Sequence, residues 1–414
     1  MRLQQVNRRG RHAAAESSGS RIPIYTAEFA ADPHSFYQLM RDRFGALAPV
    51  DLAPGVPATL VLGYRTAVRI LEDPTHFPAD PRGWQQKAPA GLPIVTMMRY
   101  RPNILRTDDS EHERYRSATV QALAGADLNS LRSMISRTAV ALINEFCADG
   151  AADLIDRYVT PLVFRVLGEL AGCPAALTDR LTTASTAVFD MRNDEDATAS
   201  AETALAELVA AKRAEPGDDL TSRLIGDSAQ LSDEEVVDQL LAVYRAGIEP
   251  ARDLIANTLL LVLTDPRFTT NQVGFAPPTR EALEEVLATD PPLAHHSIVY
   301  PPLPVLIEDV WLPADQPVLV GPAACHDDPE RTAGHNPHQA ASLAWGAGPH
   351  ACPAQARSIT YLLAEEAVDQ LLDALPDLRP EFGLDDPVWR PNPFQRALET
   401  LPVTFPPTPG MAVL

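Results

Sequence analysis

The sequence contains little cysteine, and its few cysteines lie far apart. Among 414 residues there are four, Cys147, Cys173, Cys325 and Cys352. None of them forms a Cys-x-x-Cys pair, so the spacing indicates neither a zinc knuckle nor a disulfide framework. We therefore expect free thiols and a reducing, cytoplasmic location.

Basic residues are also scarce, and long hydrophobic runs are missing. The chain has 34 Lys and Arg residues but 55 Asp and Glu residues, which gives a formal net charge of −21 at pH 7. A nucleic-acid partner is not expected, because it requires a basic surface. No apolar run reaches the roughly 20 residues of a transmembrane helix, and the N-terminus lacks the hydrophobic segment of a signal peptide. We expect residues 1–20 to form a disordered arm and residues 21–414 to form one domain.

Helical periodicity dominates residues 118–263 and 357–375, whereas strand patterns are short and few. Residues 58–63 predict a strand, and residues 64–72 a helix. Residues 305–310 and 317–320 predict two short strands around a Pro-Ala-Asp turn. The 39 prolines cluster in residues 77–102 and 291–353, which predicts long loops of functional importance. The chain is therefore expected to be mainly α with a small β-sheet region.

One helix is marked at both ends. Ser232 and Glu235 form a capping box, an apolar pattern runs to Leu263, and Asp265 and Pro266 end the helix. At about thirty residues and ~1.5 Å per residue, this helix would cross the whole molecule.

The middle of that helix contains the run Ala246-Gly247-Ile248-Glu249-Pro250. A proline inside a helix removes one hydrogen bond and leaves the carbonyl of Ala246 without its partner. We expect the helix to break here. Such a break either marks a functional site or is a kink that suits core packing, and these residues alone do not decide between the two.

Residues 345–354 read Trp-Gly-Ala-Gly-Pro-His-Ala-Cys-Pro-Ala. Gly346 and Gly348 allow a tight turn that approaches a flat ligand closely. Pro353 suits the first position of a helix, so Cys352 would lie at a helix N-terminus, where the helix dipole lowers the pKa of a thiol. A thiolate in an apolar pocket is the haem ligand used for oxygen activation. A lone cysteine is more often a small buried hydrophobe, but that alternative does not explain the surrounding glycines and His350.

This segment resembles the haem-binding loop of the cytochrome P450 family, Phe-Gly-x-Gly-x-His-x-Cys-x-Gly. Trp345 stands at the Phe position and Ala354 at the last Gly, whereas Gly346, Gly348, His350 and Cys352 match. The pair His112 and Arg116, four residues apart on one helix face, resembles the family's His-x-x-x-Arg motif. The resemblance implies the P450 fold and haem b. It also implies that Cys352 binds the iron and that His112, Arg116 and His350 bind the haem propionates.

The resemblance further implies a monooxygenase that activates oxygen at the haem iron with electrons from a ferredoxin and its reductase. The long helix resembles the family's I helix, which places Ala246, Gly247, Glu249 and Pro250 over the haem as candidate catalytic residues. A small, apolar organic substrate would lie between these residues, the 77–105 loop and residues 294–304. Side chains of the loop would form an adaptable wall or belong to the core: Ile94, Val95, Met97 and Met98.

Two departures from the family pattern concern residues of known importance in it. Its Glu-x-x-Arg motif becomes Glu285 followed by Ala288, and no Lys or Arg occurs from Glu281 to Glu330. Val299 stands where a propionate-binding Arg is expected, and the third partner of the motif falls near Pro337. A buried Glu285 without a partner would be costly, so we expect it to be exposed, protonated or otherwise satisfied.

The second departure is Pro250, which stands where the family has a proton-relaying threonine beside the acid, here Glu249. One hypothesis is that the backbone freed by the proline admits a water that performs the relay. These changes resemble an actinobacterial subgroup of orphan P450s that lack Glu-x-x-Arg. The alternatives to a monooxygenase are a haem protein that does not hydroxylate (peroxide-driven, rearranging or ligand-sensing) and a P450-fold interaction protein of a signalling complex. His295 and His296 are either metal ligands or a polar loop pair.

Overall fold

The structure is a computed structural model that describes residues 21–189, 195–269, 278–331, 342–381 and 387–412. The expected arm, residues 1–20, and the position near Pro337 lie outside the described residues.

The predicted mainly helical fold is confirmed. The α-helices are, in chain order, α1 (Ala27–Ala31), α2 (Pro33–Phe44), α3 (Tyr64–Leu71), α4 (Arg82–Gln85), α5 (Pro93–Met98), α6 (Asp109–Ala124), α7 (Leu128–Asn144), α8 (Thr160–Leu170), α9 (Ala175–Phe189), α10 (Glu195–Ala214), α11 (Leu220–Gly226), α12 (Asp233–Thr264), α13 (Pro266–Thr269), α14 (Thr279–Thr289), α15 (Pro322–His326) and α16 (Ala354–Ala374).

The strands form three small sheets. They are β1 (Ile22–Pro23), β2 (Leu47–Ala53), β3 (Val56–Val61), β4 (Ala151–Asp153), β5 (His296–Val299), β6 (Val305–Ile307), β7 (Val310–Leu312), β8 (Val318–Val320), β9 (Arg379–Pro380) and β10 (Pro402–Thr404). The largest sheet has the order β1-β2-β3-β8-β5, the second has β4-β10-β9, and β6 pairs with β7 alone.

The strand predictions are confirmed in part. The strand expected at residues 58–63 is β3, which lies at the centre of the largest sheet because β2 and β8 flank it. The single strand expected at residues 305–310 is instead the hairpin β6–β7, in which Leu306 pairs with Trp311. β8 does not join this hairpin, since it runs parallel to β3 and opposes β5. A propensity pattern cannot identify β3 as the partner of β8, because the two strands lie more than 200 residues apart in the chain.

Helix α12 has the capping box that the sequence predicts. The Ser232 hydroxyl accepts from the Glu235 amide, and the Glu235 carboxylate accepts from the Ser232 amide. The expected break at Pro250 is wrong, since the helix continues for 32 residues from Asp233 to Thr264. Most side chains of α12 between Val236 and Leu259 are buried, and this packing compensates for the hydrogen bond that the proline removes.

Three hydrophobic clusters form the core of the described residues. The largest one surrounds α12 with the helices α6 to α11, α14 and α16, the second lies against the largest sheet, and the third lies between that sheet, α3 and the β6–β7 hairpin. Ile94 and Met98 are fully buried in this second cluster, so for them the core-packing alternative is confirmed. No helix in the described part of the chain is long and apolar enough to span a lipid bilayer.

Candidate active site

The loop before α16 turns through two glycines with positive φ, Gly346 at 71° and Gly348 at 67°. A Cβ atom added at Gly348 would collide with the carbonyl oxygen of Leu71 at the end of α3, so only glycine fits there. The Cys352 amide donates to the Trp345 carbonyl at 2.8 Å and closes the loop. Helix α16 begins at Ala354, with Pro353 as its N-cap, one residue later than the sequence suggested.

The Cys352 thiol is partly buried beside two arginines. Burial raises the pKa of the Cys352 thiol to about 11, whereas Arg357 and Arg116 act in the opposite direction. The expectation of a thiol pKa lowered by the helix dipole is therefore wrong for the protein chain alone, because desolvation outweighs the dipole and both cations. A coordinated metal ion deprotonates a thiol outright, so the thiolate of this site depends on the metal.

The structure brings three predicted propionate ligands together beside this loop. Arg116 donates to the carbonyl of Ala351 at 2.8 Å, and the rings of His112 and His350 lie with centroids 4.0 Å apart at an interplanar angle of 42°. His112 is buried, and its Nε2 atom has no hydrogen-bond partner among the described residues. Burial, His350 and Arg116 lower the pKa of His112 to about 4.

This arrangement fits the carboxylates of a haem. An imidazole nitrogen that is buried without a partner costs stability, and two propionates would supply both an acceptor and negative charge. His350 also contacts the Asp108 carboxylate, 3.4 Å from its Nε2, and the Ile104 carbonyl, 3.3 Å from its Nδ1. The donor set of thiol, histidines and arginine therefore suits haem.

The middle of α12 faces open space inside the molecule. Ala246 is exposed and Gly247 and Pro250 are half-buried, although Ile248 and Glu249 next to them are buried. A small side chain that is exposed at the centre of a long, packed helix borders a cavity rather than the outer surface. The candidate catalytic residues thus divide between the cavity side, with Ala246, Gly247 and Pro250, and the packed side, with Glu249.

Glu249 is buried, and its hydrogen-bond partner lies outside α12. Its Oε2 atom accepts from the Gln395 amide, and its Oε1 atom has no partner among the described residues. Desolvation raises the pKa of Glu249 to about 8, against the opposing effect of Arg252. The carboxyl group is therefore mostly protonated at neutral pH and is a proton donor.

Glu285 no longer acts as a buried anchor. Its side chain is 35% exposed, and Oε1 lies 3.0 Å from Nη2 of Arg267, which follows the end of α12. Of the three alternatives expected for Glu285, the structure favours the third, a partly buried carboxylate that is satisfied by another partner. Arg267 is a partner that the sequence did not suggest, and no local signal could have identified it.

A histidine that the sequence did not single out connects Ala288, the position of the missing arginine, to the start of the Cys352 loop. Nδ1 of His326, the last residue of α15, lies 2.9 Å from the Ala288 carbonyl, and its Nε2 lies 2.9 Å from the Leu343 amide. Nε2 of His296 lies 3.0 Å from the carbonyl of the same Leu343. The peptide groups of Leu343, where the Cys352 loop begins, are therefore held by two histidines.

Neither metal binding nor an exposed polar loop describes His295 and His296. His295 is buried, with Nε2 2.9 Å from the Tyr37 hydroxyl and Nδ1 2.6 Å from the Pro393 carbonyl. His296 begins β5. Across the residues that the structure describes, no three His, Cys, Asp or Glu side chains form a metal site.

Comparison with known proteins identifies the family. The chain is 30% identical to cytochrome P450 107B1 of Saccharopolyspora erythraea, over 91% of this chain and 95% of that protein. It is also 30% identical to the P450 monooxygenase PikC of Streptomyces venezuelae, over 91% of this chain and 92% of that protein. No protein-family model matches the chain. At this identity and coverage, the chain belongs to the cytochrome P450 family, and its cofactor is haem b.

Solved structures agree with this assignment. The structure of CYP154C4 from a Streptomyces species superposes with a TM-score of 0.83 at 28% identity, covering 93% of this chain and 98% of that one. A myxobacterial P450, CYP267B1, superposes with a TM-score of 0.77. The relatives named as monooxygenases or hydroxylases support an oxidoreductase of the same class.

Proposed function

We propose that this P450 is a monooxygenase that oxidises a small organic substrate bound between α12 and the 77–105 loop. The observation that carries the proposal is the pairing of an intact Cys352 loop with an α12 face that opens at Ala246. Haem, when bound, supplies the activation of oxygen. In this proposal Cys352 ligates the iron, and His112, Arg116 and His350 hold the propionates.

Glu249 is the proton source in this proposal. Pro250 has no N–H or hydroxyl to donate, whereas the carboxyl of Glu249, with a pKa of about 8, still carries its proton at neutral pH. Its Oε1 atom, which has no partner among the described residues, is the oxygen that would carry this proton. The acid therefore takes over the role that the family shares between two residues.

The electron donor in this proposal is a ferredoxin that docks beside the Cys352 loop. Gly348 and Pro349 are exposed there, against Leu71 and Glu72 at the end of α3. An acidic ferredoxin would be repelled by the net charge of −21 unless cations, such as the exposed Arg69 of α3, form its contact. Reduction rates that fall with rising salt would support this docking face.

A haem protein that does not hydroxylate is the second candidate, and the observation that favours it is Pro250. Peroxide-driven and rearrangement reactions need no proton relay from α12. They would therefore not require the threonine that Pro250 replaces. The interaction-protein alternative, the orphan subgroup and the cytoplasmic location remain predictions.

The test is the carbon-monoxide difference spectrum of the reduced protein, followed by turnover with ferredoxin and reductase. We expect a red-shifted thiolate-type band that the Cys352→Ala variant lacks. Oxygen-dependent product formation then separates the monooxygenase from the second candidate. A thiolate band with product only from added peroxide would favour the second candidate, and no thiolate band would contradict both.

A further inference from the structure

An arginine lies in the middle of α12, beside its exposed position. Arg245 directly precedes the exposed Ala246, and its side chain keeps partial solvent access although protein surrounds it closely. This combination is expected of a side chain that lines an internal space. Burial, followed by Arg101, Arg106 and Arg99 in that order, lowers the pKa of Arg245 to about 10. The guanidinium nevertheless remains charged at neutral pH.

The other three arginines come from one loop that packs on the same helix. Gln239 of α12 donates to the Pro102 carbonyl at 2.9 Å and accepts from the Ile104 amide at 3.1 Å. Arg101 pairs with Asp238 at 3.0 Å. Asp238 lies two helical turns before Arg245 and shares its face. The loop therefore covers the face of α12 that ends at Arg245.

Positive charge in this cluster exceeds negative charge. Glu202 of α10 pairs with both Arg99, at 3.5 Å, and Arg101, and Asp238 is the second carboxylate. The guanidinium groups of Arg106 and Arg245 make no ion pair or hydrogen bond with any described residue. Two carboxylates thus face four guanidinium groups. An enclosed charge without a counter-ion is costly, and the surplus is unusual in a chain with a net charge of −21.

We propose that this arginine cluster, Arg99, Arg101, Arg106 and Arg245, binds an oxyanion group of the substrate. Guanidinium groups bind carboxylate and phosphate oxygens in bidentate pairs. Val95 and Met97, half-buried beside Arg99, and Ala246 offer apolar contacts for the remainder. The substrate class is therefore an amphiphile with an apolar body and a carboxylate or phosphate group. This rests on the proposed function, because it places the substrate over the haem.

The test uses the haem-loaded protein and three probes of equal chain length, dodecanoate, dodecyl phosphate and dodecanol, titrated by the spin-state shift of the Soret band. We expect both anions to bind more tightly than dodecanol, and their relative affinities distinguish carboxylate from phosphate. Arg245→Gln should weaken the anions about 10- to 100-fold, as expected for a lost charge-assisted hydrogen bond, and leave dodecanol unchanged. Arg245→Lys should restore part of the loss, and the exposed Arg213→Gln serves as the matched control.

The proposal is overturned if the native protein does not prefer the anions over dodecanol, including the case in which no probe binds. It is also overturned if Arg245→Gln loses haem, since the arginine would then serve the propionates. In either case a native thiolate-type carbon-monoxide band leaves the proposed function standing, whereas its absence contradicts the proposed function itself.

A different observation concerns how the Cys352 loop is held without the arginine that Ala288 replaces. We infer that His326 and His296 position this loop. A carbonyl only accepts and an amide only donates, so His326 must carry its proton on Nδ1, facing Ala288, and accept at Nε2 from Leu343. His296 donates from Nε2 to the Leu343 carbonyl while Ser297 lies 2.6 Å from its Nδ1.

This inference is tested with the haem-loaded variants His326→Leu and His326→Gln. Leucine offers neither bond, and we expect it to lower the thiolate fraction of the carbon-monoxide complex and to speed haem loss to an acceptor protein about tenfold, as for roughly 1.4 kcal/mol. Glutamine carries both a donor and an acceptor and should restore most of the native behaviour. The exposed His76→Leu is the control. Native haem loss and thiolate fraction in His326→Leu would overturn the inference.

Discussion

The Cys352 thiol shows how burial and coordination oppose each other at a single residue. Burial raises the pKa of this thiol to about 11, so the protein without haem holds a neutral thiol at physiological pH. The sequence identified the residue, because the glycines and histidine of its loop are contiguous. It misjudged the pKa, since desolvation depends on residues that fold around the loop.

In the haem-free protein, we therefore expect Cys352 to react slowly with iodoacetamide. The thiolate is the nucleophile, and at pH 8 a thiol with a pKa of about 11 is almost entirely protonated. Mass spectrometry of the peptide that contains Cys352 would give the alkylation rate from pH 7 to pH 10, with N-acetylcysteine as reference. A rate at pH 8 equal to that of the reference would contradict the raised pKa.

Glu249 makes the stability of the protein depend on pH. Its pKa is raised from 4.5 to about 8, so between these values the folded protein holds a proton that the unfolded chain has lost. Stability due to this group therefore falls as the pH rises from about 4.5 to 8. We expect Glu249→Gln, which cannot ionise, to gain melting temperature over the native protein as the pH rises through this window. A difference that does not change with pH would contradict this assignment.

The continuity of α12 through Pro250 is decided at the scale of the whole helix. Capping signals predicted both ends of this helix correctly, because caps are local. They could not show that tertiary packing keeps the helix continuous through Pro250. A proline inside a helix costs about 3 kcal/mol relative to alanine, and the packing of α12 carries that cost.

We expect Pro250→Ala to stabilise the protein, since the new N–H can donate to the Ala246 carbonyl. The gain should approach but not exceed the ~3 kcal/mol of an interior proline, and denaturant unfolding would measure it. Leu260→Ala, also on α12, serves as a control that should not stabilise. If Pro250→Ala lowers stability, the proline ring itself contributes to the packing around the cavity.

Glu285 does not anchor helix α14 in the core. Glu285 is partly exposed and pairs with Arg267, whereas Glu366 of α16 is buried and bonds to Arg132 and Ser136. An exposed ion pair contributes at most about 1 kcal/mol.

Glu285→Gln should therefore change the free energy of unfolding by less than about 1 kcal/mol, and Glu366→Gln by more, because Glu366 itself is buried and its carboxylate bonds to Arg132 and Ser136. Urea denaturation of both variants compares them directly. Equal losses, or a larger loss at Glu285, would mean that Glu285 still supports the core.

At the scale of the whole molecule, buried neutral histidines limit stability in acid. Burial lowers the pKa of His295 and His296 to about 4 and also lowers that of His326. Below about pH 6.5 the unfolded chain takes up protons that the folded protein excludes. These groups therefore leave stability intact above pH 6.5 and reduce it as the pH falls towards 4.

We expect the haem-loaded protein to lose stability steadily between pH 6.5 and 4, and His326→Gln to show a shallower loss because one of the titrating groups is absent. Urea unfolding at several pH values would show both slopes. A native profile that is flat from pH 6.5 to pH 4 would contradict the assignment of neutral buried histidines.

The sequence by itself determined the features that depend on neighbouring residues: the turn and ligand of the Cys352 loop, the caps of α12 and the pairing of His112 with Arg116 on one helix face. Only the tertiary structure decided which distant groups meet. Ala288, His326 and Leu343 come together from three elements, and Arg245 meets a loop about 140 residues earlier in the chain. Backbone geometry and capping act over a few residues, whereas burial, charge balance and hydrogen bonds between elements exist only after the chain has folded.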